Sequence, residues 1–513
     1  MPNRALRHYL GDITPYLVLL IVVSTIGSLQ YGYHLAELNA PQDVITCRKK
    51  SIAQTVTRWI SSARDDTSTE NSGLPDCIPM NEAQFATVSS MFTLGGLIGA
   101  LCAGPLSSRH GRRPTLRVAS VLYVLGSLIE SLSGAVSLMA TGRLFAGVAA
   151  GASTVIVPLY ISEVAPPSQR GLFGAMTQIS INIGILLSQT LGYFLSHGAA
   201  WRWILAIGVC IGATQGLGLL IVPESPAWLA VNGEVTAAKR TLQRIRGKTF
   251  DIKDEVEGWN RDEDTSASGE GEGARLLTQT DVVSEALPTE SLKPAHTGFL
   301  DVAKDPDCRP AIIAVVGVMV SQQFCGINSV VMYSVSLLAD LLPVSSALLT
   351  ILISVVNLGT TVACSPLPDR YGRKRCLLLS IVGQGSSSLI LALSIVYEAK
   401  ILSAVAVLFF VAFFAVGLGP VPFILASELV DKEAVGATQS WALGASYVAT
   451  FLVAQFFPII NKALNSALGG AGWVYFIFAG LAVGCGLFVS WRVPETMGKK
   501  DLDQVWGRER RID

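Results

Sequence analysis

The sequence predicts an all-α membrane protein of twelve spanning helices in two six-helix halves. Three observations predict it. The 513 residues are 50% hydrophobic and 15% charged, with a mean hydropathy of +0.49; a soluble domain carries about 25% charged residues. Apolar runs long enough to cross a bilayer, about 20 residues each, recur along the chain. Several short motifs occur twice, in one order and at nearly one offset. A net charge of zero gives no pull toward nucleic acid.

Residues 1–13 read as a cytoplasmic N-terminus. The first six spans are 14–38, 84–106, 114–132, 140–164, 172–195 and 201–222, so 14–222 is the N-terminal bundle. The first run is too long for a signal-peptide core and has no small-residue cleavage site after it. The segment 39–83 is an extracytoplasmic loop. A cytoplasmic linker, 223–309, follows, with an amphipathic helix expected at 233–247 and a disordered acidic, Gly/Ser-rich part at 259–292. The second six spans are 310–339, 344–367, 375–397, 402–429, 435–460 and 472–493, so 310–493 is the C-terminal bundle. The tail, 494–513, is cytoplasmic.

Orientation rests on Lys and Arg near helix ends. RHGRR lies between the second and third spans and DRYGRKR between the eighth and ninth, which puts both termini in the cytoplasm. The 39–83 loop also holds basic residues, but it is long and acidic as well. Cys47 and Cys77 lie in it, and on an oxidising side they are candidates for a disulfide. No CxxC or Cys/His cluster is present, so neither a metal nor a cofactor is expected.

The repeats are specific. Arg109-His-Gly-Arg-Arg matches Arg370-Tyr-Gly-Arg-Lys, Ser162-Glu163-Val164 matches Ser427-Glu428-Leu429, and Pro223-Glu224-Ser225 matches Pro494-Glu495-Thr496. A duplicated six-helix unit places the site at the bilayer midplane, between the halves.

The seventh span contains SQQFCGIN, Ser321 to Asn328. Polar residues inside a span are costly and usually face a cavity or a partner helix. One regular helix cannot aim Gln322, Gln323 and Asn328 at one point, but Gly326 permits a break where backbone lines a cavity. Amides donate and accept, as sugar hydroxyls do; an anion would call for Arg, Lys or a helix N-terminus. Gln178 and Asn182 share a helix face, as do Gln30 and His34, and Asn357 is a further midplane amide. Helix–helix adhesion is the alternative use of such amides.

These motifs resemble the sugar porters of the major facilitator superfamily, which include facilitative glucose transporters. The resemblance runs from Gly27 to about Asp503, apart from the acidic linker. It rests on GSLQYGYHLAELNAPQ, GRLFAGVAAG, VPLYISEVAPPSQRG and PESPAWL in the first half. In the second it rests on QQFCGIN, DRYGRK, GLGPVPFILASEL and VPETMGK. Its loop and linker are most similar to fungal vacuolar hexose-transporter-like members. The resemblance implies two six-helix bundles of the major facilitator fold, rocking around a central hexose. It implies sugar contacts at Gln178, Gln322, Gln323, Asn328 and Asn357, with Phe414 and Phe423 as aromatic walls. Tyr333 matches an extracellular-side gate. Arg109, Arg143, Glu163, Arg170, Arg370, Arg373 and Glu428 match a cytoplasmic charge network that closes the inside.

The departures bear on substrate. Glucose transporters carry Trp where this chain has Phe423, Glu where it has Ala415, and Asn, Trp and Asn where it has Ser446, Tyr447 and Thr450. Val435 replaces an Arg, with Lys432 as a substitute, and Ser108 replaces an acid or amide. Proton-linked members carry an aspartate in the first span where this chain has His34, followed by Glu37; both are candidates for coupling. A uniporter of a hexose or related neutral polyol is expected. A proton-coupled symporter or antiporter is the alternative, and a non-transporting sensor is disfavoured by the short tail. No HExxH, aspartate pair or nucleophile elbow suggests an enzyme. The expected partners are the lipid bilayer and a small neutral sugar or polyol, with the protein a monomer in the vacuolar or plasma membrane.

Overall fold

The computed structural model describes residues 14–47, 74–166, 169–247, 250–253, 255–256, 302, 304–306, 308–338, 346–430, 434–499 and 502–507. The Arg170 side chain, Lys432, the acidic stretch 259–292 and most of the 39–83 loop lie outside them.

The first half comprises α1 (Pro15–Ala36), α2 (Glu82–His110), α3 (Arg112–Ser131), α4 (Val136–Val164), α5 (Arg170–Leu195) and α6 (Trp201–Ile221). Local chemistry sets the ends. The Thr14 hydroxyl accepts from Leu17 N at 3.1 Å with Pro15 at the first helical position. Asn81 and Gln84 form a reciprocal capping box at the start of α2, at 2.8 and 2.9 Å. The linker supplies α7 (Pro226–Val231) and α8 (Val235–Arg246), the latter where the amphipathic helix was expected. The second half comprises α9 (Arg309–Phe324), α10 (Ile327–Leu338), α11 (Ser346–Cys364), α12 (Arg373–Val396), α13 (Lys400–Val416), α14 (Val421–Glu428), α15 (Val435–Leu468) and α16 (Val474–Arg492).

Among the described residues eight helices, or nine with the bent pair α9–α10, are long and apolar enough to cross a membrane. Of the other three rods, α3 carries three arginines and Glu130, α5 carries Gln178, Asn182 and Gln189, and α11 has a shorter apolar stretch, Leu348–Cys364. Packing gives them their places. α3 lies on α4 and α6, α5 on α1, and α11 on α13, which completes two six-rod bundles.

The bundles repeat each other's packing. α1 lies on α5 as α9 lies on α15, α2 on α4 as α11 on α13, and α3 on α6 as α12 on α16. They meet along α2–α15 and α5–α11.

One face gathers the chain ends. Thr14 Oγ1 donates to Ile245 O at 2.7 Å, and Arg246 of α8 donates to Val164 O at 2.7 Å and pairs with Glu255 at 2.8 Å. Trp506 donates to Leu429 O at 3.4 Å. This is the basic face, since RHGRR and DRYGRKR also lie on it. The opposite face holds a Cys47–Cys77 disulfide. There Trp201 Nε1 donates to Asp76 O at 2.7 Å, and Arg202 donates to Pro75 O at 2.8 Å and to Ser133 O at 2.7 Å.

Candidate functional site

The polar stretch in the seventh span is a broken helix. α9 and α10 meet at 43°. Gly326 sits between them at φ +95°, where a side chain would be strained and a Cβ would press on the Phe478 ring. The break turns three amides toward each other. Gln323 Nε2 donates to Gln322 Oε1 at 2.8 Å, and Asn328 Nδ2 donates to Gln323 Oε1 at 2.6 Å. Gln322 Nε2 donates to the Leu418 carbonyl, where the chain leaves α13.

These amides line a cavity of about 60 Å³ between the bundles. Gln178, Asn357, Phe414 and Phe423 line it too, so the seven residues assigned to substrate share one space. Asn182 joins them from the face it shares with Gln178. Its Nδ2 donates to Thr361 Oγ1 at 2.8 Å, across the α5–α11 seam. None of the lining side chains carries a charge. Aliphatic side chains of α1, α5 and α10 complete the wall.

Ser446 and Thr450 acquire a role that sequence reasoning treated only as a loss. Gln323 Nε2 donates to Ser446 Oγ at 3.0 Å and Asn328 Nδ2 to Thr450 Oγ1 at 3.3 Å. Two hydroxyls of α15 therefore hold the amides of the broken helix in place. Tyr447, one of the other departures, turns to α4, with its hydroxyl 3.1 Å from Thr154 Oγ1. Toward the disulfide face the cavity is closed. Tyr333 is 3% exposed, donates to Ala454 O at 2.7 Å and stacks on Phe457. Asn39 donates to Val331 O at 2.9 Å, tying the end of α1 to α10.

The charged residues need two corrections. At the basic face Arg112, not Arg109, holds Glu163, with a shortest contact of 2.6 Å. In the second half Arg373 holds Glu428 at 2.9 Å, while Arg370 is exposed, as Arg109 is. The cause is the glycine inside each motif. Gly111 at φ +96° and Gly372 at φ +98° end one helix and start the next, so the arginine after the glycine turns inward. Glu224 accepts from Arg112 N at 2.8 Å and Glu495 from Arg373 N at 2.8 Å, each a carboxylate at a helix N-terminus. The PES and PET motifs mark these two glutamates. Neither ion pair crosses between bundles.

Arg143 is the second correction. It lies near the start of α4, about 30 Å along the helix from Glu163 at 1.5 Å per residue, and so outside the basic-face network. It is 1% exposed, and its Nη1 donates to Glu37 Oε1 at 2.6 Å and to His34 O at 2.7 Å. His34 Nδ1 lies 2.9 Å from the same carboxylate, and the imidazole stacks on Tyr123. His34 and Glu37 thus face the interior of the N-terminal bundle rather than the cavity, although Tyr31 and Leu35 of the same helix line it.

Glu130 of α3, which sequence reasoning missed, completes this cluster. His34, Glu37 and Glu130 each place a ligating atom within 4.8 Å of the other two. Neither Glu130 oxygen meets a hydrogen-bond donor. Two buried carboxylates face one guanidinium, so a further positive charge is needed to offset the surplus. Glu37 Oε2 is likewise without a donor, so a proton on either carboxylate would supply that charge. A glutamate inside a predicted span was the available signal.

A sequence profile described as "Sugar (and other) transporter" matches residues 20–505. A "Probable metabolite transport protein" of Saccharomyces cerevisiae is 33% identical over 99% of this chain and 98% of that relative. "Vacuolar protein sorting-associated protein 73" of the same yeast is 33% identical over 94% of each. The human "Solute carrier family 2, facilitated glucose transporter member 3" is 30% identical over 95% of this chain and 91% of its own. Among solved structures, the proton:xylose symporter XylE bound to 6-bromo-6-deoxy-D-glucose superposes with a TM-score of 0.71 at 24% identity, over 96% of this chain and 99% of that one. A partially occluded inward-open form of XylE from E. coli gives 0.69 at 23% identity, over 94% and 100%. These superpositions identify the fold as that of the major facilitator superfamily.

Proposed function

The chain belongs to the sugar transporter family, a family of multi-pass membrane carriers rather than enzymes, and from that premise we propose that it moves a hexose or related neutral polyol by alternating access, as a uniporter. One observation carries the reading. Amides from both bundles converge on a single uncharged cavity with aromatic and aliphatic walls. Each amide offers a donor and an acceptor to a hydroxyl, and the phenyl rings of Phe414 and Phe423 offer apolar faces to the C–H surface of a sugar. With no charged group in the lining, a neutral ligand fits and an anion does not. Because the amides come from two bundles, rocking one against the other opens the cavity to each side in turn.

The proposed orientation sets the basic face in the cytoplasm, consistent with the arginines there, and the Cys47–Cys77 disulfide on an oxidising side. The proposed membrane is vacuolar or plasma. The vacuolar option is supported by the name of one yeast relative.

Proton coupling is the second reading, and the His34–Glu37–Glu130–Arg143 cluster favours it, because its surplus carboxylate suits a proton. One experiment separates the two. Purified protein in liposomes is offered radiolabelled hexoses, pentoses and polyols, with and without a pH gradient. A uniporter equilibrates its sugar and ignores the gradient. A coupled carrier concentrates the sugar, and Glu37→Gln abolishes the concentration while sparing exchange, which needs no net proton movement. No movement of any of these solutes contradicts both readings.

A further inference from the structure

The polar contacts between the bundles do not stop at the cavity. On α5, Gln178, Asn182, Ile185 and Gln189 stand at i, i+4, i+7 and i+11, along one helix face. On α11, which runs the other way, Thr361, Asn357, Ser354 and Thr350 stand at the same spacing. The two rows face each other. Asn182 bonds Thr361 at 2.8 Å and approaches Asn357 at 3.5 Å. Roughly 10 Å further along α5, at 1.5 Å per residue, Gln189 lines a second space with Thr350, Ser354 and Asn357. This space is about 10 Å³, room for a single water-sized group, and shares Ile185, Val331 and Asn357 with the first cavity. It therefore continues the first cavity toward the disulfide face, on the far side of Asn357.

Gln189 is 2% exposed, yet its Oε1 has no hydrogen-bond partner. A buried amide oxygen without a donor is costly. The Ser354 hydroxyl does not supply one, since it donates to Thr350 O at 2.9 Å. The group that completes this site must be an O–H or N–H donor from outside the chain. An all-apolar seam between α5 and α11 would have packed them at less cost.

We propose that Gln189, with Ser354 and Thr350, forms an outer hydroxyl-binding subsite. It reads one hydroxyl of the sugar between the disulfide face and the inner amides, once the Tyr333 side of the cavity opens. The ligand is a neutral polyhydroxylated molecule, so the inference rests on the sugar reading above. The Gln189 carbonyl accepts the ligand's O–H, and the Ser354 oxygen accepts a second one or a bridging water. The subsite adds selection by hydroxyl position to a cavity whose inner amides are already partly tied to Ser446 and Thr450.

The test pairs a lost amide with a lost hydroxyl. Wild-type protein and Gln189→Met, which keeps the side-chain length and removes the carbonyl, are compared in liposomes. The probes are radiolabelled D-glucose, D-galactose and D-fructose, competed by mono-deoxy analogues of whichever is transported. In wild type, one deoxy analogue is expected to compete about two- to twelve-fold less well than its parent because of Gln189, the range for one neutral hydrogen bond. Gln189→Met should erase that difference and keep the differences at the other hydroxyls. Ser354→Ala should reduce the same difference. If Gln189→Met is not recovered as monodisperse protein, Ser354→Ala decides by that criterion. Retention of every difference in the recovered variants would overturn the subsite and leave the sugar reading intact. Wild-type protein that transports none of the probes would overturn both.

Discussion

At the basic face the two bundles are near copies. The N-terminal bundle sets Arg112 on Glu163 and Glu224 on the first amides of α3; the C-terminal bundle sets Arg373 on Glu428 and Glu495 on the first amide of α12. Inside the membrane they part. The N-terminal bundle buries two carboxylates, a guanidinium and an imidazole within α1, α3 and α4. The C-terminal bundle holds instead a broken helix with three amides, steadied by two hydroxyls of α15. The duplicated unit has been kept at the helix junction common to both halves and has diverged in the polar groups each half holds near the cavity, which amides of both halves line. The charges stand one helix face away from the cavity, so any link between them and sugar must run through α1, whose Tyr31 and Leu35 touch the cavity while His34 does not.

Breaking the unlike part should do most damage. Arg143→Ala leaves two buried carboxylates facing one another, and removing one partner of a buried pair costs about 3–5 kcal/mol. Thermal melting of the detergent-solubilised protein should show a large loss, partly restored by adding Glu37→Gln. A mild effect of Arg143→Ala alone would mean that the cluster is wet or already neutral.

Breaking the like parts should do less and do it equally. Arg112→Ala and Arg373→Ala each remove hydrogen bonds to a partly exposed carboxylate, worth about 1.5–3 kcal/mol at most and less after solvent screening. Their melting temperatures should fall together. If one variant falls and the other does not, the two junctions are not functional copies.

The smallest expected effect sharpens the broken-helix side of the comparison. Phe423→Trp with Thr450→Asn adds an indole N–H and an amide beside Asn328. Glucose should compete for uptake about two- to twelve-fold better, the worth of one hydrogen bond. Unchanged competition would place the ligand away from α14 and α15.

Much of this was legible beforehand. Apolar length marks most spans, and the paired RxGR motifs mark the duplication. Gly326 among three amides marks the broken helix, because only a break lets those amides converge. What was not legible depended on neighbours from other helices. Nothing in RHGRR alone says that Arg112 rather than Arg109 turns inward; the left-handed Gly111 between them decides it. Arg143 reads as one more charge of the basic-face network until its height on α4 is fixed by the Glu37 carboxylate of α1. Glu130 passes for a residue at a span's end, and only the packing of α3 on α4 brings it to His34 and Glu37. Ser446 and Thr450 read as absent amides, whereas the fold uses their hydroxyls to hold Gln323 and Asn328.

The central claim is that the amides of the broken helix bind a neutral sugar in transit. The most direct measurement is radiolabelled sugar uptake into liposomes by wild-type protein and by the Gln322→Ala/Gln323→Ala double variant, both shown to be monodisperse and to melt at similar temperatures. The account predicts uptake to equilibrium by wild type, with the double variant's apparent affinity weakened by about five-fold or more, two lost hydrogen bonds at about 0.5–1.5 kcal/mol each. Equal uptake by the two proteins at sub-saturating sugar would contradict it.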